Sequence, residues 1–133
     1  MQVLTVALAL SRDAYAVSPS PEEMKKARDW VADKIDGLPP DLPFSFTYGG
    51  ESSREFLPLA SQAKWTWDID RANTELDEQR TQRVLTYDDP RTGLQVRCET
   101  IVYSDYPAVE WLVTFRNNGD ADTPIIEDVL AMD

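Results

Sequence analysis

Residues 84–117, VLTYDDPRTGLQVRCETIVYSDYPAVEWLVTFRN, alternate between apolar and polar side chains in three runs. A two-residue period is typical of strands that bury one face and expose the other. The runs are separated by 88–93 and 104–107, which are rich in the proline, glycine, aspartate and serine that favour turns. Strands joined by short turns pair in antiparallel order. The stretch therefore predicts an antiparallel meander and an all-β fold.

The flanking sequence adds further strands on both sides of this meander. Aromatic residues alternate with Ser and Thr over 44–48, and Trp65 and Trp67 share one face of a second strand. After a strong turn signal at 117–120, a last apolar run at 124–132 predicts another strand. Together these patterns predict an all-β, antiparallel β-sandwich, supersandwich-like and incomplete.

One α-helix is predicted ahead of the strands, over about residues 21–36. Ser20 has the properties of an N-cap, Pro21 suits the first helical position, and Glu23 completes a capping box. Apolar residues then follow helical spacing. Gly37 is expected to end the helix in a left-handed conformation.

Composition excludes several classes of function. The net charge of −11 argues against recognition of nucleic acid and against docking on anionic membranes. The absence of histidine removes imidazole catalysis and imidazole metal ligation. The single cysteine, Cys98, forms no intrachain disulfide, and its inward position on a strand predicts a small buried apolar side chain. Any chemistry must use carboxylates, hydroxyls, Lys or Arg.

The two ends of the chain raise separate expectations. The apolar run 3–10 followed by Ala-Tyr-Ala at 14–16 resembles the end of a secretory signal peptide, over 1–16. A buried strand or an arbitrary start are the alternatives, so localisation stays open between secreted and cytoplasmic. At the other end, 125–133 is apolar and strand-like with no turn after it, which predicts a truncated domain.

Six blocks between residues 43 and 125 carry a family resemblance. They are PFSFTYGG (43–50), LDEQRT (76–81), YDDPRTGL (87–94), YSDYPAVEW (103–111), NNGD (117–120) and DTPI (122–125). In this order and spacing they resemble the N-terminal β-sandwich domain of glycoside hydrolase family 36, the α-galactosidase or melibiase family. The expected organisation is a signal peptide at 1–16, a linker and helix at 17–42, and a partial β-sandwich domain at 43–133.

The resemblance implies a function for the longer protein rather than for this chain. Family members are retaining hydrolases of terminal α-galactosides, and their two catalytic Asp residues lie on a (β/α)8 barrel. The N-terminal sandwich packs on that barrel and contributes to contacts between subunits of a homo-oligomer. No catalytic residue transfers to a position in this sequence. We therefore expect a non-catalytic sandwich, with no cofactor and no metal, whose partner is the barrel.

Three residues are candidates for contact with carbohydrate: Trp65, Trp67 and Asp68. Two indoles on one strand face can form a stacking platform for sugar rings, with a carboxylate to accept hydroxyl hydrogen bonds. Packing of both indoles between the sheets is the favoured alternative. Asp68 and Asp70 share the opposite strand face and are expected to be solvated there. A free-standing carbohydrate-binding module is the alternative function, and exposure of the indoles distinguishes the two.

Overall fold

The computed structural model describes residues 17–58 and 67–132, and this part of the chain is mainly β-structure. The predicted N-terminal signal peptide and Trp65 lie outside the described residues. The helices are α1 (Pro21–Val31), continued by a π-helical turn (Ala32–Asp36), and α2 (Ser53–Phe56). The strands are β1 (Ser45–Tyr48), β2 (Glu51–Ser52), β3 (Asp68–Glu75), β4 (Arg80–Asp88), β5 (Leu94–Tyr103), β6 (Val109–Asn117) and β7 (Ile126–Leu130).

Two antiparallel sheets form a sandwich, as the sequence predicts. The larger sheet is a meander in the order β3-β4-β5-β6, and the smaller has the order β2-β1-β7. Gly49 and Gly50 turn the chain between β1 and β2, and both have a positive φ, which glycine adopts without steric cost. No helix in the described ranges is long and apolar enough to cross a membrane.

The larger sheet has one apolar and one polar face, because its strands keep the two-residue period. On β5 the side chains of Leu94, Val96 and Cys98 are buried, whereas Gln95 and Arg97 lie on the opposite face. Cys98 is thus a buried apolar residue, as expected, and burial raises the pKa of its thiol. The predicted inward and outward faces of β5 are confirmed.

The core lies between the two sheets and is rich in aromatic rings. Phe46 of β1 packs edge-on against Phe115 of β6, with ring centroids 5.0 Å apart, and against Phe56 of α2 at 5.9 Å. The short helix α2 is not predicted from the sequence. Its first residue, Ser53, is buried and accepts a hydrogen bond from the Phe46 amide at 2.9 Å.

Helix α1 and the turn that follows it pack on the core through Trp30, Val31 and Ile35. Its capping box is present: the Ser20 hydroxyl accepts from the Glu23 amide at 3.2 Å, and the Glu23 carboxylate accepts from the Ser20 amide at 2.7 Å. Trp30 packs on Trp111 of β6, with ring centroids 5.2 Å apart. The helical conformation continues to Asp36, as predicted, although its last five residues form a π-helical turn.

The prediction for the end of this helix is wrong in one respect. Gly37 has φ −56°, so it does not adopt the left-handed conformation. A Cβ at this position would lie 3.0 Å from the Asp33 carbonyl oxygen and 3.1 Å from that of Pro39. Glycine is therefore suited to Gly37 because two backbone segments approach it closely, and not because of its backbone angles.

Candidate functional site

The predicted carbohydrate contacts are placed differently by the structure. Trp67 is 4% exposed and its indole is stacked on the Phe56 ring at 5.4 Å and edge-on to the Tyr48 ring at 5.9 Å. Its indole nitrogen is buried without a hydrogen-bond partner among the described residues. Trp67 thus packs in the core, the favoured interpretation of the two, and in this structure it presents no free ring face to a sugar.

The two neighbouring carboxylates lie on the solvent side of β3. Asp68 and Asp70 are both exposed, on the outer face of the larger sheet. Asp68 pairs across the sheet with Asp88 of β4, whose carboxylate accepts a hydrogen bond from Gln95 at 2.8 Å. Asp68 and Trp67 therefore point to opposite sides of the sheet, and the structure does not bring them together.

A buried carboxylate lies where β4 turns into β5. Asp89 is 1% exposed and accepts hydrogen bonds from the Arg91 amide at 3.0 Å, from Arg91 Nε at 3.1 Å and from the Thr92 hydroxyl at 3.1 Å. Burial raises its pKa, but the bonds from Arg91 and Thr92 outweigh burial, so the pKa lies below its usual value. A carboxylate with a lowered pKa stays ionised at neutral pH. Asp89 is therefore unsuited to act as a general acid.

The same turn is linked to the smaller sheet by a tyrosine. The Tyr48 hydroxyl at the end of β1 lies 2.7 Å from the Thr92 hydroxyl and 3.5 Å from the Asp89 carboxylate. Burial raises the pKa of Tyr48, so its hydroxyl stays protonated. We call the side chains of Tyr48, Asp89, Arg91 and Thr92 the turn network. Its groups are hydrogen-bonded to one another, so they stabilise the contact between the sheets.

Four of the six sequence blocks meet around the turn network. Block 87–94 contacts block 43–50 through the network itself. It contacts block 117–120 through a hydrogen bond from the Asn118 amide to the Gly93 carbonyl, 2.8 Å long. The Gly49 amide donates to the Ile125 carbonyl at 3.0 Å, which adds block 122–125. Residues far apart in the sequence thus build one junction between the sheets.

A second polar region attaches the helix to the larger sheet. Arg71 on β3 donates to the carbonyl of Ile35 at 3.2 Å and to that of Gly37 at 3.0 Å, while Arg83 Nε on β4 lies 3.0 Å from the Asp36 carboxylate. These side chains line an open cavity of about 360 Å³. Because both guanidinium groups contact the helical turn, their observed role is to hold that turn on the sheet.

Both arginines were missed at the sequence level, although a signal exists. Arg71 lies two residues after Ile69, and Arg83 two residues before Leu85, so the strand period places both on the inner face. A charged residue on an inward face requires a partner.

A nearby buried hydroxyl, that of Tyr87, has no partner among the described residues, and burial raises its pKa to about 12.

The described residues offer no other arrangement typical of a reaction centre. Within 17–58 and 67–132 there is no group of three or more His, Cys, Asp or Glu side chains that could hold a metal ion. Among the Asp and Glu residues in the same ranges, Asp89 alone is buried, and its carboxylate is paired with Arg91. Retaining hydrolysis of glycosides instead requires two carboxyl groups about 5–5.5 Å apart across a bound sugar.

Both β6 and β7 carry exposed apolar side chains. Leu112 on the outer face of β6 is 59% exposed, and Val129 and Leu130 on β7 are also exposed. Trp111 is only half-buried, and its indole nitrogen donates to the Ala131 carbonyl at 2.7 Å. Apolar exposure is not confined to these two strands, because the inward-facing Ile69 of β3 is also exposed.

Comparison with known protein families, with curated proteins and with solved structures finds no match to this chain. The resemblance to the α-galactosidase family therefore depends on the six sequence blocks alone.

Proposed function

We propose that the chain is the non-catalytic N-terminal sandwich portion of an α-galactosidase-like glycoside hydrolase. The parent activity is retaining hydrolysis of terminal α-galactosides, and the catalytic carboxylates belong to a (β/α)8 barrel outside this chain. The role of the sandwich is to pack on that barrel and to contribute to contacts between subunits.

One observation carries the proposal: four of the resembling blocks build a single junction between the sheets. A hydrogen bond between Tyr48 and Thr92, which are 44 residues apart, and one from Asn118 to Gly93 connect three of these blocks. Blocks selected for catalysis would leave reactive groups free to contact substrate. In this chain the polar side chains of the blocks bond to one another. This supports the interpretation that the blocks resemble those of the family because they build the same β-sandwich, and not because they take part in catalysis.

The surface of the sandwich also supports a packing role. Apolar side chains are exposed together on β6 and β7, including Leu112, Val129 and Leu130. Exposed apolar groups that cluster on one side of a domain are typical of an interaction surface. The burial of Trp67, in contrast, weakens the alternative of a free-standing sugar-binding module, because one of the two proposed platform rings faces the core.

Two assays on the purified chain and one on its gene test the proposal. We expect no hydrolysis of nitrophenyl α-galactoside above a mock preparation, and no change of tryptophan fluorescence on titration with galactose or raffinose. The reading frame that encodes the chain should continue into a barrel with two catalytic Asp residues. Saturable binding of sugar by the chain would favour the free-standing module, and turnover by the chain alone would contradict both.

A further inference from the structure

The outer side of β6 is a strand edge that no described strand covers. β6 is the last strand in the order β3-β4-β5-β6, and it pairs with β5 through all nine of its residues, Val109–Asn117. The edge strand of a sheet presents unpaired amide and carbonyl groups, which can pair with another strand. An edge of nine residues is long enough for stable pairing.

The hydrogen bonds at the two ends of β6 define which of its backbone groups face outward. The Tyr103 amide donates to the Ala108 carbonyl at 3.3 Å, and the Asn118 amide to the Gly93 carbonyl at 2.8 Å. In an antiparallel sheet, every second residue of a strand bonds through its amide and carbonyl groups to the strand on one side, and the residues between them direct these groups to the other side. Even-numbered residues of β6 therefore bond to β5. The odd-numbered residues from Val109 to Asn117 direct their amide and carbonyl groups to the free edge.

The sequence of β6 is self-complementary when the strand pairs with a copy of itself. A two-fold axis at Val113 places Glu110 opposite Arg116 of the second copy, twice in the dimer. The same register places Trp111 opposite Phe115 on the inner face, and Leu112 opposite Thr114 on the outer face. These pairs follow from the antiparallel order alone, and opposite charges facing each other across a sheet are stabilising.

The backbone supports the same register. It overlaps all nine residues of the strand, and it pairs odd-numbered residues with odd-numbered ones, which are those whose backbone groups face outward. Moving the axis by one residue, to Leu112, shortens the overlap and places Glu110 opposite Thr114. Full backbone pairing and charge complementarity thus coincide in one arrangement.

We propose that β6 is a dimerisation strand, and that two copies of this chain pair through it into a continuous eight-stranded sheet with its two-fold axis at Val113. Pairing covers the partly exposed inner side chains of Trp111 and Phe115 as well as the exposed Leu112. Both inner faces lie on the same side of the combined sheet, as a two-fold axis perpendicular to it requires. This inference specifies one contact between subunits and to that extent rests on the proposed function, but sedimentation of the chain tests it separately from any assay of activity.

Charge reversal at Glu110 tests the pairing against general electrostatics. The chain carries a net charge of −11, so Glu110→Lys lowers the overall repulsion between copies and would by itself favour association. In the proposed dimer the same change places Lys opposite Arg116 twice. We therefore expect sedimentation equilibrium to show a species of twice the 15.1 kDa chain mass for the wild type, and a dissociation constant raised by about tenfold for Glu110→Lys.

Two further variants separate the pairing from other effects. The double variant Glu110→Lys with Arg116→Glu restores opposite charges and should return the dissociation constant to near the wild-type value. Glu75→Lys makes the same charge change on β3, the other edge of the same sheet, and should not weaken the dimer. Circular dichroism checks that every variant is folded. Failure of the double variant to restore association would overturn the proposal.

Amide hydrogen exchange identifies what covers the edge. Dimerisation should protect the amides of Trp111, Val113 and Phe115 increasingly as the concentration rises, while those of Leu112 and Thr114 are protected at all concentrations by β5. A monomer with rapid exchange at the odd positions would show an uncovered edge. Protection that is independent of concentration would show that the chain covers its own edge. Either result contradicts the proposed dimer.

Discussion

The turn network should contribute measurably to stability through the charge of Asp89. The substitution Asp89→Asn keeps the shape of the side chain and removes the charge that Arg91 and Thr92 stabilise. The Arg91 amide and Nε can still donate to the side-chain oxygen in the Oδ1 position. The amino group in the Oδ2 position cannot accept the bonds that Arg91 Nη2 and the Thr92 hydroxyl donate there, at 3.3 and 3.1 Å. The perturbation is thus confined to one buried charge and the groups that donate to it.

The expected loss follows from the exposure of the partner. A hydrogen bond to a charged group contributes about 1.5–3 kcal/mol to stability. The Arg91 side chain is half-exposed, so water can solvate its charge once the ion pair is gone, which reduces the cost. We expect Asp89→Asn to lower the free energy of unfolding by about 1–2 kcal/mol. Asp89→Ala should cost about 3 kcal/mol, because it also leaves buried donors without an acceptor.

Urea denaturation at a series of pH values measures this loss. The folded-state pKa of Asp89 lies below the ordinary value of 3.8, so its charge stabilises the folded state above that pH. The contribution decreases as the pH falls through the folded-state pKa. The difference in stability between the wild type and Asp89→Asn should therefore be constant from pH 5 to 7 and should shrink below about pH 4.

Asp88 provides the matched control for this experiment. It is the preceding residue, but its carboxylate lies on the outer side of the sheet and bonds to Gln95. We expect Asp88→Asn to change the free energy of unfolding by less than about 0.5 kcal/mol. Equal losses for the two variants, or a loss at Asp89 that does not vary with pH, would refute the role assigned to the turn network.

Substitutions at Gly93, Ser20 and Phe46, with matched controls for the first two, test the fold by the same urea assay. Gly93 and Gly50 both have positive φ, but a Cβ on Gly93 would lie 2.4 Å from the Gly119 amide nitrogen, whereas one on Gly50 meets nothing within 4 Å. Gly93→Ala should therefore cost about 1–3 kcal/mol more than Gly50→Ala, and equal costs would contradict this close approach. Ser20→Ala should cost about 1 kcal/mol and Ser20→Gly only a few tenths, since glycine also caps helices; no loss for Ala would argue against the capping box. Phe46→Ala should cost about 3–5 kcal/mol because the ring joins both sheets, and a loss below 1 kcal/mol would place it outside the core.

The sequence predicts the regular parts of this fold because their patterns are local. The capping box at Ser20 and the two-residue period of β5 depend on residues a few positions apart, and the structure confirms both. The contact at Gly37 could not be predicted in this way. It depends on the approach of Pro39 to the helical turn, and the left-handed ending that glycine usually favours is absent.

The functional residues were harder to predict because partners across the fold decide their roles. The pattern of Trp67 was compatible with a sugar platform and with the core, and only its packing on Phe56 distinguishes them. The roles of Arg71 and Arg83 depend on the helical turn, which is more than 30 residues away in sequence. Self-complementarity of β6 is visible in the sequence, but its significance appears only when the strand lies at an edge.

The size and activity of the native polypeptide test the proposed function most directly. Proteins from the source cells are separated on a native gel, stained for α-galactosidase activity, and digested to find peptides from residues 17–132. We predict that these peptides come from an active band whose denatured chain mass is several times 15.1 kDa. Their recovery only from an inactive chain of about 15.1 kDa would contradict the account.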